Sequence, residues 1–439
     1  MVARIARRDM LRLLGGTLLL PAVQAGETTA QAGEKITLTY WRHFYQPEVK
    51  LERRIAQQYM ALHPNIKVTV VDQGSTPDEN QKVLVAFAGG GAPDIIFVYN
   101  GYFPQYAALG FLQPIMYSVF GTDRAGLEKQ WLKGGLRGWE YNGHYYGIPG
   151  NASSYVMVIS PPLFRAAGLD PVKDAPRTWE DIARIGPKLT KVKNGAIVQQ
   201  GFGMPSYPAV MALVFDAMVH QLGGSIVSAD GKTARLNSPA CVKALQTLYD
   251  FVNKYKISVL AGKPQQGPGF NTGSTAIIAD VGLWYRGYLQ QAAPKIYDNG
   301  KGLKFLPFPR FQGGKDLGGT PYGYAWCVNA RSPHAREAWE FIRFMSDKST
   351  LPDVSFGDIP PKAWLLTDKK IMSNPDTALA LKELASGATY AATPDQVSTI
   401  MYAAISHSIL DKVDPKTALN AANQRLQALL PTLPYKLKL

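Results

Sequence analysis

Hydrophobic and polar residues alternate along Lys35–Trp41 (KITLTYW), with Ile36, Leu38 and Tyr40 on one side, which predicts a strand with one buried face. The next segment, PEVKLERRIAQQYMALHP, places Leu51, Ile55, Tyr59 and Leu62 at spacings of four, four and three. That spacing predicts an amphipathic helix, and His63-Pro64 ends it. Alternation returns in IKVTVVDQ through Ile66, Val68 and Val70. A second helix around 79–88 carries Val83, Leu84 and Phe87 and stops at Gly89-Gly90-Gly91, ahead of a further strand, PDIIFVYN. This β-α-β-α-β order predicts a largely parallel sheet with helices on its faces.

Capping signals place later helices. Thr178 with Asp181 three residues on predicts a helix through Trp179, Ile182 and Leu189. Ser238-Pro239 opens another, with Val242, Leu245, Tyr249 and Val252 on one face. Ser332-Pro333 opens a third, AREAWEFIRFM, which buries Ala338, Phe341, Ile342 and Met345. Between 255 and 275 the chain is rich in Gly and Pro and reads as a long surface connection. No internal repeat is visible.

Length and composition narrow the class. At 439 residues, 46% hydrophobic and 11% aromatic, the chain builds two or three globular lobes rather than a disordered polymer. Beyond the N-terminus no run approaches the roughly 18 apolar residues of a membrane span. Two cysteines, Cys241 in a predicted helix and Cys327 in a predicted strand, exclude a disulfide scaffold and a four-thiolate zinc site, while a single disulfide between them stays open.

Residues 1–25 (MVARIARRDMLRLLGGTLLLPAVQA) follow the basic, apolar, small-residue order of a secretory signal. Arg7-Arg8 gives it twin-arginine character, and a later cleavage option follows Ala32. Export to the periplasm is the expectation. This leader holds four arginines against one aspartate, so most of the net charge of +14 lies in the remainder. That charge is scattered, without the concentrated basic element of a nucleic-acid protein, although it keeps an anionic solute open, with Arg42, Arg286 and Arg310 as the candidate cations.

Nucleophile elbows, phosphate loops, dinucleotide fingerprints and zinc helices are all missing from the sequence. Histidines 43, 63, 144, 220, 334 and 407 show no i,i+4 pair, so neither a metal nor a cofactor is expected. An exported carbohydrate-active enzyme would need two carboxylates flanking a bond. Asp72, Asp94, Glu140 and Asp280 are candidates, but nothing in the sequence pairs them.

Aromatic residues carry more information. They gather where predicted strands end, at Trp41–Tyr45, at Tyr99–Phe103, and at Tyr155, Trp284-Tyr285 and Tyr322-Gly323-Tyr324. Ligands of open α/β sheets collect outside the carboxyl ends of strands, and ring faces stack on the C–H faces of sugars.

The stretch Gly147–Thr190 (GIPGNASSYVMVISPPLFRAAGLDPVKDAPRTWEDIARIGPKLT) resembles the signature of bacterial extracellular solute-binding proteins, the maltose-binding-protein-like receptors of ABC importers. Four further segments resemble the family in the same order: HPNIKVTVV, APDIIFVYNGYFPQYAALGFLQPI, FNTGSTAIIADVGLWYRGYL and GGTPYGYAWCVNARSPHAREAWEFIRFMSD. The similarity spans residues 34–439. It implies an α/β, two-lobe periplasmic binding protein fold whose discontinuous domains are joined by several hinge crossings. The first lobe would comprise 34–150 plus 325–392 and the second 155–320 plus 393–439. Crossings would fall near Gly150–Tyr155, Thr320–Ala325 and Ala391–Pro394. The resemblance also implies a monomer without enzymatic activity that takes a sugar or polyol-like solute and meets the transmembrane subunits of a permease.

Departures from the family pattern bear on the solute. Ile159-Ser160-Pro161-Pro162 stands where relatives carry Tyr-Asn-Lys-Asp. Gly101-Tyr102 replaces an acidic-basic pair, and Met401 falls where a stacking aromatic is usual. These point away from maltose, towards another saccharide, a polyol, or a glycosylated or phosphorylated small molecule.

Family position and residue chemistry together nominate the cleft. His43 and Phe44 follow the first strand, Tyr99 and Asn100 end the third, and Asn151, Ser153, Ser154 and Tyr155 line the first crossing. Trp284 and Tyr285 follow the IIAD strand, and Thr320, Tyr322 and Tyr324 lie on the second crossing, with Tyr207 in MPSYPAV added. Trp284 and Tyr99 are expected to stack, and Asn100, Asn151 and Ser154 to hydrogen-bond. Asp280 is expected to cap the turn that follows it. Trp41, Trp139, Trp179, Trp339 and Trp364 read as core.

Overall fold

The computed structural model describes residues 35–436 apart from 44, 75, 133–134, 206, 261–267, 358 and 387–392. The leader, Phe44 and residues 391–392 of the third crossing lie outside the described residues. In chain order the strands are β1 (Ile36–Arg42), β2 (Ile66–Asp72), β3 (Ile95–Tyr99), β4 (Glu140–Tyr141), β5 (His144–Tyr145), β6 (Gly147–Ser154) and β7 (Val156–Ile159). They continue with β8 (Lys191–Lys193), β9 (Ala196–Gly203), β10 (Thr275–Val281), β11 (Lys304–Leu306) and β12 (Pro321–Val328). Three helices open the chain: α1 (Gln46–Leu62), α2 (Thr76–Gly89) and α3 (Phe103–Ala108).

Two five-stranded sheets organise the molecule, ordered β2-β1-β3-β12-β6 and β11-β7-β10-β9-β8. The predicted parallel pairing holds for β1 with β2 and with β3. It ends there, because β12 and β6 return antiparallel to complete the first sheet. The second sheet is likewise mixed, with β10 parallel to β9 and antiparallel to β7. A lone residue, Tyr155, separates β6 in the first sheet from β7 in the second. Beside it, β12 starts with Pro321 opposite Ser154, so two antiparallel strands run together into the hinge.

Apolar burial follows the sequence periods. On one face of the first sheet, Leu38, Tyr40, Phe97 and Trp326 pack with Leu51, Ile55 and Tyr59 of α1 and with Ala338, Phe341, Ile342 and Met345. On the other face, Ile96, Val98 and Cys327 meet Val83 and Phe87 of α2 and Phe103 and Tyr106 of α3. The second sheet buries Trp179, Phe202, Leu245 and Phe251 in the largest cluster. Each such side chain contributes about 1.5–3 kcal/mol by leaving water. Residues 359–384, which the resemblance grouped with the first lobe, share a cluster with β7, β10 and β11 of the second sheet through Ile359, Leu365, Leu381 and Leu384.

Caps behave as their chemistry requires, with one shift. Thr178 and Asp181 form a complete capping box, and the Ser238 hydroxyl accepts from the Cys241 amide. The third helix starts later than predicted, at Ala335 behind His334. Ser332 instead donates to Asp94 at 2.7 Å and accepts from the His334 amide, tying the turn to the strand edge. Cys241 and Cys327 are free, buried in different clusters, and both thiols are pushed up by burial, so the open disulfide is not formed. Trp364 is 42% exposed, against the expectation of core packing, whereas Trp139, Trp179 and Trp339 are buried.

One buried pair sets a pH dependence. His220 Nε2 faces Asp216 Oδ1 at 3.4 Å in the second lobe, and the Asp216 charge raises the imidazole above its usual range against the cost of burial. A raised histidine stabilises the fold fully below its unfolded value, near 6.5, and loses that contribution as pH climbs through the folded value. Melting temperatures are therefore expected to fall on moving from mildly acidic to mildly alkaline buffer, and His220→Gln to flatten that slope. An unchanged slope in the variant would remove the pair as its cause.

Candidate functional site

The strand ends deliver an aromatic cluster at the junction of the two sheets. On β12, Tyr324 pairs in register with Tyr99 of β3 and with Asn151 of β6. Its ring lies 4.6 Å from His43, 5.2 Å from Phe97 and 5.4 Å from Tyr99. Two residues earlier on the same strand, Tyr322 lies 4.9 Å from the Tyr155 ring, and its hydroxyl accepts from Trp284 Nε1 at 2.5 Å. Rings rooted in the first sheet (Tyr99, Tyr324) and in the second (Trp284, after β10) thus meet across Tyr322.

Trp284 is held by close backbone approach. Gly282 packs so tightly that a Cβ there would stand 1.9 Å from Ser153 Oγ and 3.0 Å from the Trp284 ring. Gly357, with φ of 88°, closes the helix Ala335–Phe356 and packs against the backbone of the loop that carries Trp284; its Cβ would be 2.6 Å from the Leu283 carbonyl carbon and 2.7 Å from the Trp284 amide nitrogen. Only glycine fits such a position without strain.

Several nominated residues are committed to the scaffold. Ser154 Oγ donates to the Gly319 carbonyl at 3.0 Å, joining the two hinge segments. Thr320 Oγ1 donates to the Leu213 carbonyl at 3.1 Å, deep in the second lobe. Tyr285 is buried against Phe270 and Tyr288, with its ring edge-on to Trp284 at 5.8 Å. Tyr207 is 41% exposed at the start of the helix Pro208–Gln221. Met401, where relatives stack an aromatic, is buried in the second lobe's core.

Asn151 is held on both sides of its amide. Its Nδ2 donates to Glu48 Oε1 at 3.1 Å, and its Oδ1 accepts from the Tyr324 amide at 3.1 Å. Glu48 belongs to a buried network around Arg42, which ion-pairs with Glu48 and reaches Glu52 Oε2 from Nε at 2.8 Å. Tyr40 donates to Glu52 at 2.8 Å, Trp326 Nε1 donates to Tyr40 at 2.9 Å, and the Arg42 guanidinium lies 4.2 Å over the Phe97 ring. Both carboxylates sit on the apolar stripe of α1 with Leu51 and Ile55, which was the readable sign that something charged must meet them inside. Asn100 behaves differently. It is 2% exposed, both its side-chain polar atoms lack a hydrogen-bond partner, and it borders a cavity of about 10 Å³ with Asn151, Trp139 and Gly323.

The carboxylates named for catalysis do not pair. Asp94 accepts from the Thr39 amide and hydroxyl at 2.8 and 2.9 Å, Asp72 from Gln46 at 2.6 Å, and Glu140 from Arg124 at 3.0 Å. Asp280 does not cap the following turn: its carboxylate is hydrogen-bonded by its own amide, and burial pushes it up to about 7. The candidate cations are also engaged. Arg42 is sealed as described, Arg286 pairs with Asp376, and Arg310 reaches Asp316 at 3.0 Å and Glu383 at 3.1 Å. Asp395, opening the helix Asp395–Leu410, hydrogen-bonds Asn80 of α2 and acts on Tyr99 and Tyr102, and no local pattern in the sequence foretold it. Among the described residues no cluster could hold a metal ion, and no helix is long and apolar enough to cross a membrane.

Comparison with known proteins agrees with this architecture. A maltotriose-binding protein of Pyrococcus abyssi is 23% identical over 343 residues, 76% of this chain and 68% of that protein. The sn-glycerol-3-phosphate-binding periplasmic protein UgpB of Escherichia coli is 28% identical over 258 residues, 56% of this chain and 57% of its own length. An ABC transporter solute-binding protein from Thermotoga lettingae, solved with alpha-D-tagatose, superposes with a TM-score of 0.77 at 19% identity, covering 90% of this chain and all of that one. The profile of the bacterial extracellular solute-binding protein family matches residues 46–350, well over half the chain. With that match and two sheets joined through β6, Tyr155 and β7, the chain belongs to that family.

Proposed function

We propose that the protein is the receptor of an ABC importer, capturing a carbohydrate or polyol-like solute between its lobes and presenting the closed complex to a membrane permease. The observation that carries this reading is the contact of Trp284 with Tyr322 at 2.5 Å, with Tyr155 and Tyr99 beside them, so that rings from both sheets border one slot. Stacking faces flanked by hydroxyls suit a ring rich in C–H and O–H groups. A solute that touches both lobes binds the closed state better than the open one, and that difference drives closure. The sugar and glycerol-phosphate ligands of the similar proteins support the substrate class. The basic, twin-arginine-type leader supports export and action in the periplasm, where the receptor works as a monomer without catalysis.

Calorimetric titration with a sugar and polyol panel tests the reading; folded protein that binds nothing at millimolar concentration would overturn it. Trp284→Ala is expected to weaken binding by about 1–3 kcal/mol, as for a buried aromatic anchor. Trp284→Phe, which keeps a ring but loses the N–H to Tyr322, should recover part of that loss. Equal affinity in wild type and Trp284→Ala would take this ring out of the site.

A further inference from the structure

We infer that Asn100 holds one tightly bound water in a small chamber where three chain passages between the lobes meet, and that this water is a built part of the junction. Asn100 is 2% exposed, and neither its side-chain nitrogen nor its side-chain oxygen has a protein partner. A carboxamide sealed in that way forfeits the hydrogen bonds it makes in solvent, a cost that native interiors rarely leave uncompensated. Its backbone is locked, because the Asn100 amide donates to the Gly323 carbonyl at 3.0 Å. The neighbouring Asn151 is already engaged at both ends, with Glu48 and with the Tyr324 amide.

The chamber beside that carboxamide has the size and the lining for one neutral molecule. Its volume is about 10 Å³, the room that a single water needs. Apart from the two asparagines and Trp139, its walls are glycines, prolines and Ala152, whose short side chains leave the space. No lining residue carries a charge, so nothing there compensates a cation or an anion for leaving bulk solvent. An organic solute is far larger than the chamber. Water fits it. The molecule accepts from Nδ2–H and donates to Oδ1 of the same carboxamide, and keeps one hydrogen and one lone pair for the main chain of the wall.

The walls show why a water matters at this place. Asn151 and Ala152 belong to β6, which runs through Tyr155 into the second sheet, and Gly323 belongs to β12, which pairs with β6. Pro361 lies on the segment that follows the helix Ala335–Phe356 and joins the second sheet's cluster through Ile359 and Leu365. Main-chain bonds pin that segment to the first lobe, from the Ala152 amide to the Ile359 carbonyl at 2.8 Å and from the Leu132 amide to the Pro361 carbonyl at 2.7 Å. With its water, Asn100 at the end of β3 is satisfied inside the junction, and the three passages pack around a filled space rather than a gap.

Oxygen-17 magnetic relaxation dispersion on the purified protein counts the waters held for longer than the protein takes to tumble. Wild type is expected to hold one more such water than Asn100→Leu, which keeps the approximate shape of the side chain and removes both of its polar atoms. A crystal structure of the wild type with ordered solvent is expected to show a water at about 2.7–3.2 Å from both Nδ2 and Oδ1 of Asn100. That second measurement needs no variant, so it decides the matter even where Asn100→Leu fails to fold. Equal water counts in the two folded proteins would overturn the inference. So would a wild-type structure in which the carboxamide bonds to main chain with no water beside it, or in which a solute atom takes the water's place. The receptor reading stands in each of these cases, because the inference does not rest on it.

Discussion

Replacing Arg42 with alanine is expected to destabilise the protein by about 3–5 kcal/mol, the cost of leaving buried charges without their partner. Arg42 is 1% exposed, and Glu48 and Glu52 are each 3% exposed, so neither carboxylate can turn to water when the guanidinium is gone. The Tyr40 and Trp326 hydrogen bonds converge on Glu52, and the Asn151 bond on Glu48, so the loss spreads from β1 to α1, β12 and the hinge strand. Urea unfolding followed by circular dichroism measures it directly. Arg42→Lys should recover only part, because an ammonium cannot span both carboxylates as the planar fork does. A change below about 1 kcal/mol in Arg42→Ala would mean that the network is solvated and holds nothing.

Gly357→Val should lose both stability and solute binding. Its φ of 88° is a left-handed setting that a β-branched residue adopts only under strain, and the added Cβ meets the Leu283–Trp284 backbone within 3 Å. Strain and overpacking together predict a cost of about 2–5 kcal/mol, and the backbone that must give way is the one that aims Trp284 at Tyr322. Thermal melting and titration of the same preparation separate the two effects. A variant that melts earlier yet binds with full affinity would show that the loop repacks without moving the indole.

Much of the fold was legible because it rests on periodicity. The apolar spacings of 51, 55 and 59, and of 338, 341, 342 and 345, predicted buried faces that the structure contains. Local rules could not reach non-local pairing, so the antiparallel return of β12 and β6 beside a parallel core was not foreseen. The site divided in the same way. Ring positions at strand ends were readable, and Tyr99, Tyr155, Trp284, Tyr322 and Tyr324 do approach one another. Which hydroxyls and amides remain available was not readable. Ser154, Thr320 and Asn151 look in sequence like Asn100, but their partners lie more than a hundred residues away in the chain. Asp395 reaches the first lobe only because the C-terminal helices fold back over the second sheet.

Because Tyr155 alone separates β6 from β7, and β12 runs alongside, the two halves are joined here by a short ribbon rather than by slack cord. A hydrogen-bonded ribbon flexes across its thin dimension far more easily than it shears along its length. Gaping is therefore confined to essentially one angular coordinate, and each opening returns the indole and the phenols to the same alignment. Recapture of solute after release then requires no search among misaligned half-sites.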